Sequence, residues 1–233
     1  MSVMIYREFI DIVKNSDNIV FFGGAGVSTE SGIPDFRSPE GIFKAWTEYG
    51  RPSEEIICRP FFDRRPETFF EYYRKNLLYP DARPNEAHRA LARLEKEGKV
   101  KAVITQNIDG LHQIAGSKNV IELHGSVRRN YCMKCGKSHR MEYVLEAMGI
   151  PLCENCKGIV KPDIVLYQEE VGTENLDKAI EAIKQADTLI VGGTSLVVYP
   201  AAGLVEHFNG SNLVLINKSS TQYDDKADLV IND

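Results

Sequence analysis

The sequence lacks the features that mark several specialised classes of protein. It contains no run of about 18 apolar residues, the length that a membrane-spanning helix requires. Its 28 basic and 33 acidic residues give a formal net charge of -5, so the chain has no excess of positive charge to attract nucleic acid. We therefore predict no membrane segment and no direct binding of nucleic acid.

The chain also lacks a secretory signal and has few cysteines. Its N-terminus places Arg7, Glu8 and Asp11 among apolar residues, which predicts an amphipathic helix and not a signal peptide. We expect a cytoplasmic protein. In that reducing compartment, five cysteines favour metal binding or catalysis over disulfides.

Short apolar segments alternate with helical patterns along the chain. Six segments have the composition of buried parallel strands, namely Ile19–Phe22, Val103–Thr105, Val120–Leu123, Ile164–Tyr167, Thr188–Val191 and Leu213–Ile216. Apolar residues recur at helical spacing over residues 87–94 and 176–183. This alternation predicts an α/β fold with a doubly wound, Rossmann-like parallel sheet.

Two stretches interrupt the alternation, and we predict that they form a smaller inserted lobe. Residues 36–83 are rich in aromatic residues and proline, which indicates a helical insertion. Residues 127–162 contain four of the five cysteines and form a second, zinc-binding insertion. The ranges 1–35, 84–126 and 163–233 would then make up the Rossmann-like domain that binds the nucleotide.

The cysteine spacing is typical of a zinc ribbon. Cys132-x2-Cys135 is followed after 17 residues by Cys153-x2-Cys156. Four thiolates leave no open coordination position, so we predict one structural zinc ion. Unrelated buried cysteines and redox Cys-x-x-Cys pairs are the alternatives, although redox pairs usually occur singly and open a helix. We interpret Cys58 as a packed interior residue.

A glycine-rich turn follows the first predicted strand. Gly24, Ala25 and Gly26 stand where an α/β sheet brings backbone N–H groups to a pyrophosphate. Thr29 replaces the third glycine of the ordinary dinucleotide motif, and the acid that usually binds the ribose has no obvious counterpart. The next loop, 32–37, carries an acid, an aromatic ring and a cation, and it can close over the cofactor.

Polar residues follow later predicted strands, where α/β folds place their ligands. Gln106, Asn107 and Asp109 follow one strand, and His124 ends the next. His124 is a candidate general base, because a neutral imidazole can accept a proton near neutral pH. The alternatives are that residues 106–109 form an ordinary polar turn and that His124 is a structural histidine.

Two apolar pieces could bind a peptide as an added strand. They cover residues 162–167 and 196–200. An ordinary buried strand is the alternative for the first.

Taken in order, these motifs resemble those of the sirtuins, which are NAD-dependent protein lysine deacylases. The match comprises the motifs at 24–28, 32–37, 105–109, 124–125 and 193–195 together with the four cysteines. The resemblance implies that NAD is consumed as a co-substrate and that an acetylated protein or peptide binds in the cleft between the lobes. The acetyl group would pass from lysine to ADP-ribose, with release of nicotinamide and O-acetyl-ADP-ribose.

The resemblance also implies roles for individual residues. His124 would be the general base acting on a ribose hydroxyl, while Asn107 and Asp109 orient the reacting pocket. The NAD contacts would be Gly24, Ala25, Gly26, Thr29, Asp35, Phe36, Arg37, Gln106, Asn107, Ile108, Asp109, Gly193, Thr194, Ser195, Asn217 and Lys218. The contacts to the peptide substrate would be Val165, Leu166, Tyr167, Val198 and Tyr199.

The chain departs from the family pattern in places. Gln168 stands where family members commonly have glycine, which bears on peptide preference. The family usually continues into a helix beyond the last strand, and we expect that helix to be absent or trimmed at Asp233. Sirtuins that favour succinyl or malonyl groups carry a Tyr-x-x-Arg pair. Phe70 and Tyr73 occupy those positions here, so we predict neutral acyl groups, with acetyl first.

Four alternative functions remain. They are a dehydrogenase with a zinc ribbon, a zinc-ribbon module that binds nucleic acid, a sirtuin that mainly transfers ADP-ribose, and a sirtuin with another acyl preference. The missing third glycine argues against the first. Acidic residues that offset the basic residues of the ribbon argue against the second.

Overall fold

The chain forms two sheets flanked by helices. The structure, a computed structural model, describes residues 2–35, 46 and 48–232. The strands are β1 (Ile19–Gly23), β2 (Val100–Thr105), β3 (Val120–Glu122), β4 (Gly125–Cys132), β5 (Ser138–Arg140), β6 (Val160–Ile164), β7 (Thr188–Gly192), β8 (Asn212–Ile216) and β9 (Leu229–Ile231). The helices are α1 (Ser2–Asn15), α2 (Ser53–Ile56), α3 (Arg59–Arg64), α4 (Pro66–Asn76), α5 (Glu86–Lys96), α6 (Leu111–Ala115), α7 (Met141–Glu146) and α8 (Thr173–Gln185). None of these helices combines the length and the apolar character needed to cross a membrane.

The main sheet is parallel and has six strands in the order β3-β2-β1-β7-β8-β9. The chain adds β2 and β3 on one side of β1 and later adds β7, β8 and β9 on the other side. The direction of winding therefore reverses between β1 and β7. In open parallel sheets, ligands bind outside the carboxyl ends of the strands at this reversal. The predicted doubly wound sheet is confirmed.

Apolar side chains fill both faces of the main sheet, because successive residues of a strand point to opposite sides. On one face, Phe9 of α1 packs with Ile19 and its neighbours. On the other face, Ile183 of α8 packs with Phe22. The amphipathic helix expected at the N-terminus and the helix expected over 176–183 are both present.

The prediction that residues 164–167 form a strand of the parallel main sheet is wrong. β6 ends at Ile164 and pairs antiparallel with β4 in a second sheet, which has three strands in the order β5-β4-β6. Apolar composition does not distinguish a strand of the main sheet from one that packs on the core of the smaller lobe, where Ile164 and Leu166 are buried. The sixth strand of the main sheet is β9, which is not among the six segments predicted as strands.

Helices α2–α4 share one apolar core with the second sheet and the cysteine-containing segment. Phe62 and Phe69 pack edge to face with their ring centroids 5.0 Å apart, and Tyr73 stacks on Phe69 at 5.8 Å. Such pairs stabilise a core beyond the area that they bury. The same cluster includes the buried Cys132 and Cys153. The zinc ribbon is therefore anchored to the helices by packing as well as by the chain.

The connection between the two sheets is short. Only Leu123 and His124 separate β3 of the main sheet from β4 of the second sheet. The next residue, Gly125, has a φ of 76°, and a Cβ atom placed there would lie 2.0 Å from the carbonyl oxygen of Asp163. Glycine thus permits the close contact of β4 and β6 that holds His124 at the junction of the sheets.

We predict that Gly125→Ala lowers the free energy of unfolding by about 2–4 kcal/mol, because it combines a left-handed backbone with a clash against a backbone oxygen. Urea denaturation measures the change. Gly98→Ala is the matched control, since Gly98 has a similar φ of 78° with no atom within 4 Å of the added Cβ. Its cost should be about 1 kcal/mol, and equal losses in the two variants would contradict the steric argument.

Candidate active site and metal centre

A cleft of about 1360 Å³ lies at the carboxyl edge of the main sheet, between that sheet and the smaller lobe. It is lined by the turns that follow β1, β2, β3, β7 and β8 and by residues 164–171. Every predicted NAD or peptide contact that falls on described residues lines this cleft, as does His124. Phe36 and Arg37 lie outside the described residues.

Two glycine turns meet at the point where the winding reverses. Gly24 donates its N–H to the Gly192 carbonyl at 3.2 Å, and Gly26 donates to the Gly193 carbonyl at 2.8 Å. A Cβ atom on Gly26 would lie 2.7 Å from the Cα of Gly193. These glycines are therefore required by the contact between the turns. Between these two glycines, the N–H of Ala25 bonds to no other described residue, so it remains available to a ligand.

Asn107 and Asp109 belong to one hydrogen-bond network with Ser28. The Asn107 Nδ2 group donates to the Gly24 carbonyl and to Ser28 Oγ, both at 3.0 Å. Ser28 Oγ donates to Asp109 Oδ2 at 2.7 Å, and Asp109 Oδ1 accepts from the Leu111 N–H at 2.8 Å. The sequence pointed to Asn107 and Asp109 but assigned no role to Ser28, which is buried between them.

Asn85 is a second residue of the cleft wall that the sequence analysis missed. Its Oδ1 atom accepts from the N–H groups of Ala87 and His88, which caps helix α5. Its Nδ2 group donates to the Val27 carbonyl at 2.7 Å, which ties α5 to the segment after the first glycine turn. The signal was available, because an asparagine just before a helical pattern indicates an N-cap.

His124 has a defined tautomer at the edge of the cleft. Its Nδ1 atom lies 3.0 Å from the Gln106 carbonyl oxygen, which can only accept a hydrogen bond. The neutral ring therefore carries its proton on Nδ1, and Nε2 keeps its lone pair. Burial lowers the pKa of His124 below its ordinary value of 6.5, and the bond to Gln106 opposes that shift only in part. His124 is thus neutral at pH 7 and able to accept a proton.

The turns after β2, β7 and β8 are joined by side chains. Gln106 Nε2 donates to Thr194 Oγ1 at 3.1 Å, and the Thr194 N–H donates to Asn217 Oδ1 at 2.8 Å. The Nδ2 group of Asn217 is buried and has no hydrogen-bond partner within the described residues. A donor of this kind at the wall of a cleft suits a polar ligand such as a nucleotide. Thr29 instead donates its hydroxyl to the Gly26 carbonyl.

The residues predicted to contact the peptide lie on two irregular segments. Tyr167 is 40% exposed and Tyr199 is 63% exposed, so both present rings to solvent. Leu166 packs into the core of the smaller lobe, and its side chain is not free to meet a peptide. The segment expected to be extended over 196–200 is not a strand, because Leu196 has a φ of 53° and a 3-10 helix begins at Ala201.

The four predicted metal ligands converge. Their sulfur atoms all lie within 4.8 Å of one another, with 3.4 Å between those of Cys132 and Cys156 and 3.7 Å between those of Cys135 and Cys153. Tetrahedral zinc with Zn–S bonds of about 2.3 Å separates its sulfur ligands by about 3.8 Å. The site therefore fits a zinc ion, and four thiolates leave it no open position for catalysis.

Comparison with known proteins gives one consistent result. The model of the family described as the Sir2 family matches residues 24–200. A protein of Clostridium perfringens named NAD-dependent protein deacetylase is 62% identical over 224 residues, covering 96% of this chain and 92% of that protein. A Clostridium acetobutylicum protein of the same name is 58% identical over 228 residues, covering 97% of this chain and 93% of that protein. A solved structure described as Sir2 with a p53 peptide and NAD+ is 42% identical, has a TM-score of 0.85, and covers 97% of this chain and 92% of its own.

We predict that Cys132→Ser abolishes stoichiometric zinc binding and lowers the free energy of unfolding by more than about 3 kcal/mol, because the ligand belongs to the core shared with helices α2–α4. Zinc per chain and the unfolding curve are the measurements. Cys58→Ser is the matched control, since Cys58 lies outside the ribbon and bonds to the Glu55 carbonyl. It should keep its zinc. A Cys132→Ser protein that still holds one zinc per chain would show that the site is wrong.

Proposed function

The chain belongs to the Sir2 family, and on that premise we propose that it is an NAD-dependent protein lysine deacetylase. It transfers the acetyl group of an acetyl-lysine side chain to ADP-ribose and releases nicotinamide and O-acetyl-ADP-ribose. The observation that carries the proposal is the state of His124, a neutral base with a fixed tautomer at the cleft. When bound, NAD supplies an electrophilic ribose carbon and nicotinamide as the leaving group.

The residues after β1, β7 and β8 fit the nucleotide. The Ala25 N–H at the first glycine turn suits a phosphate oxygen, since backbone amides at such turns bind anions. The buried Nδ2 group of Asn217 gives a hydrogen-bond donor to the adenosine end, and Lys218 adds a positive charge on the same wall. Phosphates bring negative charge into the cleft, so a lysine there is favourable.

His124 acts as the general base. Its Nδ1–H is held by the Gln106 carbonyl, so Nε2 is the atom that takes a proton from a ribose hydroxyl. Burial keeps the ring neutral and ready to accept that proton. The short connection between β3 and β4 limits the movement of the ring, which favours one orientation for proton transfer.

Asn107, Asp109 and Ser28 position the reacting end of the co-substrate. The Asn107 amide bridges the Gly24 carbonyl and Ser28, and Ser28 bridges to Asp109. Each side chain is fixed by another, so contacts within the protein preorganise the pocket. A preorganised pocket lowers the barrier because little reorganisation is needed during the reaction.

The acetylated peptide lies between the segments 165–167 and 198–199, which line the same cleft as His124. Neither segment belongs to a strand. The peptide therefore completes this part of the structure as an extended segment, a mode of binding that uses backbone hydrogen bonds and leaves sequence preference to the neighbouring side chains.

The first experiment is incubation of one peptide, carrying either acetyl-lysine or succinyl-lysine, with and without NAD, followed by mass spectrometry. We expect NAD-dependent loss of acetyl with formation of O-acetyl-ADP-ribose, and succinyl removal at least about ten-fold slower. Phe70 and Tyr73 are fully buried. Helix α4 has two cations, but the Gly149 carbonyl holds Arg74 at 2.8 Å and Lys75 pairs with Glu48. The helix therefore brings no cation to the cleft. Comparable rates on the two peptides would refute the neutral-acyl preference, and no NAD-dependent deacetylation would refute the proposed reaction.

We predict that His124→Ala lowers kcat by about 10²–10⁴-fold with little change in the thermal unfolding midpoint. When wild-type kcat/KM is plotted against pH, its acidic fall should lie below pH 6.5. The reason is that His124 is protonated, and the base lost, only as the pH falls through its lowered pKa. His207→Ala is the control, because His207 is not among the residues lining the cleft. It should leave rate and profile unchanged. A near wild-type rate in His124→Ala would exclude the base role.

A further inference from the structure

A strained turn forms one wall of the peptide cleft. The Glu169 N–H donates to the Leu166 carbonyl at 2.9 Å, which closes a four-residue turn from Leu166 to Glu169. Gln168 is the third residue of this turn and has a φ of 67°. Glycine adopts that conformation without steric cost, whereas a residue with a Cβ atom does not. The chain therefore has glutamine at a position whose backbone conformation favours glycine.

The turn is held in this conformation by a cluster of charged side chains. Glu169 Oε2 accepts from the Leu166 N–H at 2.8 Å and from Lys161 Nζ at 3.2 Å, while Oε1 accepts from Arg59 Nη1 at 2.9 Å. Lys161 is only 2% exposed and also donates to the Ile164 carbonyl at 2.9 Å. Strained backbone persists only where the surroundings fix it in this way.

The backbone of Tyr167 provides a second constraint. Its N–H donates to the Ile57 carbonyl at 3.0 Å, and its carbonyl accepts from the Arg59 N–H at 2.9 Å. The turn is thus attached both to the charged cluster and to the helices of the smaller lobe. These attachments leave the Gln168 side chain exposed on the wall of the cleft.

Two side chains of this wall offer oxygen acceptors to a ligand. Gln168 presents its amide, and Glu170 presents a carboxylate; both are exposed and line the cleft. The charge of Glu169 is compensated by Lys161 and Arg59, but the structure gives Glu170 no ion-pair partner among the residues that it describes. A cationic side chain on a bound peptide would find both a hydrogen-bond acceptor and an unbalanced negative charge here.

We propose that Gln168 is a specificity-determining residue of the peptide cleft and that, with Glu170, it selects peptides that carry lysine or arginine beside the acetyl-lysine. The inference rests on the proposed function in one respect, namely that the acetylated peptide lies in this cleft. The strain at Gln168 is then the consequence of keeping an acceptor side chain at this point of the wall.

The test is direct binding, which does not depend on turnover. Fluorescence anisotropy gives the Kd of two labelled acetyl-lysine peptides that differ only in having lysine or alanine on both sides of the acetyl-lysine. The proteins are the wild type, Gln168→Gly, Glu170→Gln and Lys157→Gly. Lys157 is the matched control, because it is also a non-glycine residue in the left-handed region, with a φ of 58°, and is not among the residues that line the cleft.

We expect the wild type to bind the lysine-flanked peptide about three- to ten-fold more tightly than the alanine-flanked one. Gln168→Gly and Glu170→Gln should each lose at least half of that preference while binding the alanine-flanked peptide as before. Glu170→Gln should also reduce the dependence of Kd on salt. Both glycine variants should unfold at or above the wild-type temperature, since each relieves a strained φ. Lys157→Gly should keep the full preference.

Three results would overturn the inference. The first is an unchanged preference for the lysine-flanked peptide in Gln168→Gly. The second is an equal loss of affinity for both peptides in that variant. The third is a wild type that binds neither peptide. A wild type that binds with the expected preference but does not deacetylate in the presence of NAD would refute the proposed reaction and leave the inference intact.

Discussion

The close contact between the two glycine turns governs the geometry of the site. Gly26 and Gly193 touch through their backbones because β1 and β7 are neighbours at the point where the winding reverses. A larger residue at either position would separate the turns. The Gly24 carbonyl, fixed by this contact, then orients the Asn107 amide, and Asn107 orients Ser28 and Asp109 in turn. One backbone contact therefore determines the placement of polar groups that come from two segments far apart in the chain.

His124 depends on a different constraint, the junction of the two sheets. Arg129 of β4 bonds to Glu122 of β3 at 2.6 Å and to Asp163 of β6 at 2.8 Å. Glu122 is buried, so this contact is shielded from solvent more than an ordinary surface pair would be. The ion pairs fix the strands on either side of His124, and the Gln106 carbonyl fixes its ring. The orientation of His124, the proposed base, is thus set jointly by the main sheet and by the sheet of the zinc ribbon.

Local patterns in the sequence predicted much of this arrangement, and the failures have identifiable causes. The strands around β1 and the four cysteines were predictable because hydrophobic burial and ligand spacing are local. The strand at 164–167 was misplaced because the partner of an apolar segment is decided by tertiary pairing. Ser28 was missed because its importance arises only when Asn107 and Asp109, about 80 positions away in the chain, are brought against it. Non-local hydrogen bonds of this kind leave no pattern in a single sequence.

Two non-glycine residues near the cleft adopt the left-handed backbone conformation, and contacts around them hold it in place. Gln168 and Leu196 both have a positive φ, and they lie beside the two segments between which the peptide is proposed to bind. Polar side chains fix the backbone at or beside each of them. Glu169 bonds to the turn of Gln168, and Gln222 donates to the Leu196 carbonyl at 3.0 Å. Both walls are therefore held by contacts within the protein itself. A peptide that enters such a cleft loses its own freedom but does not have to order the protein, so more of the contact energy remains as affinity.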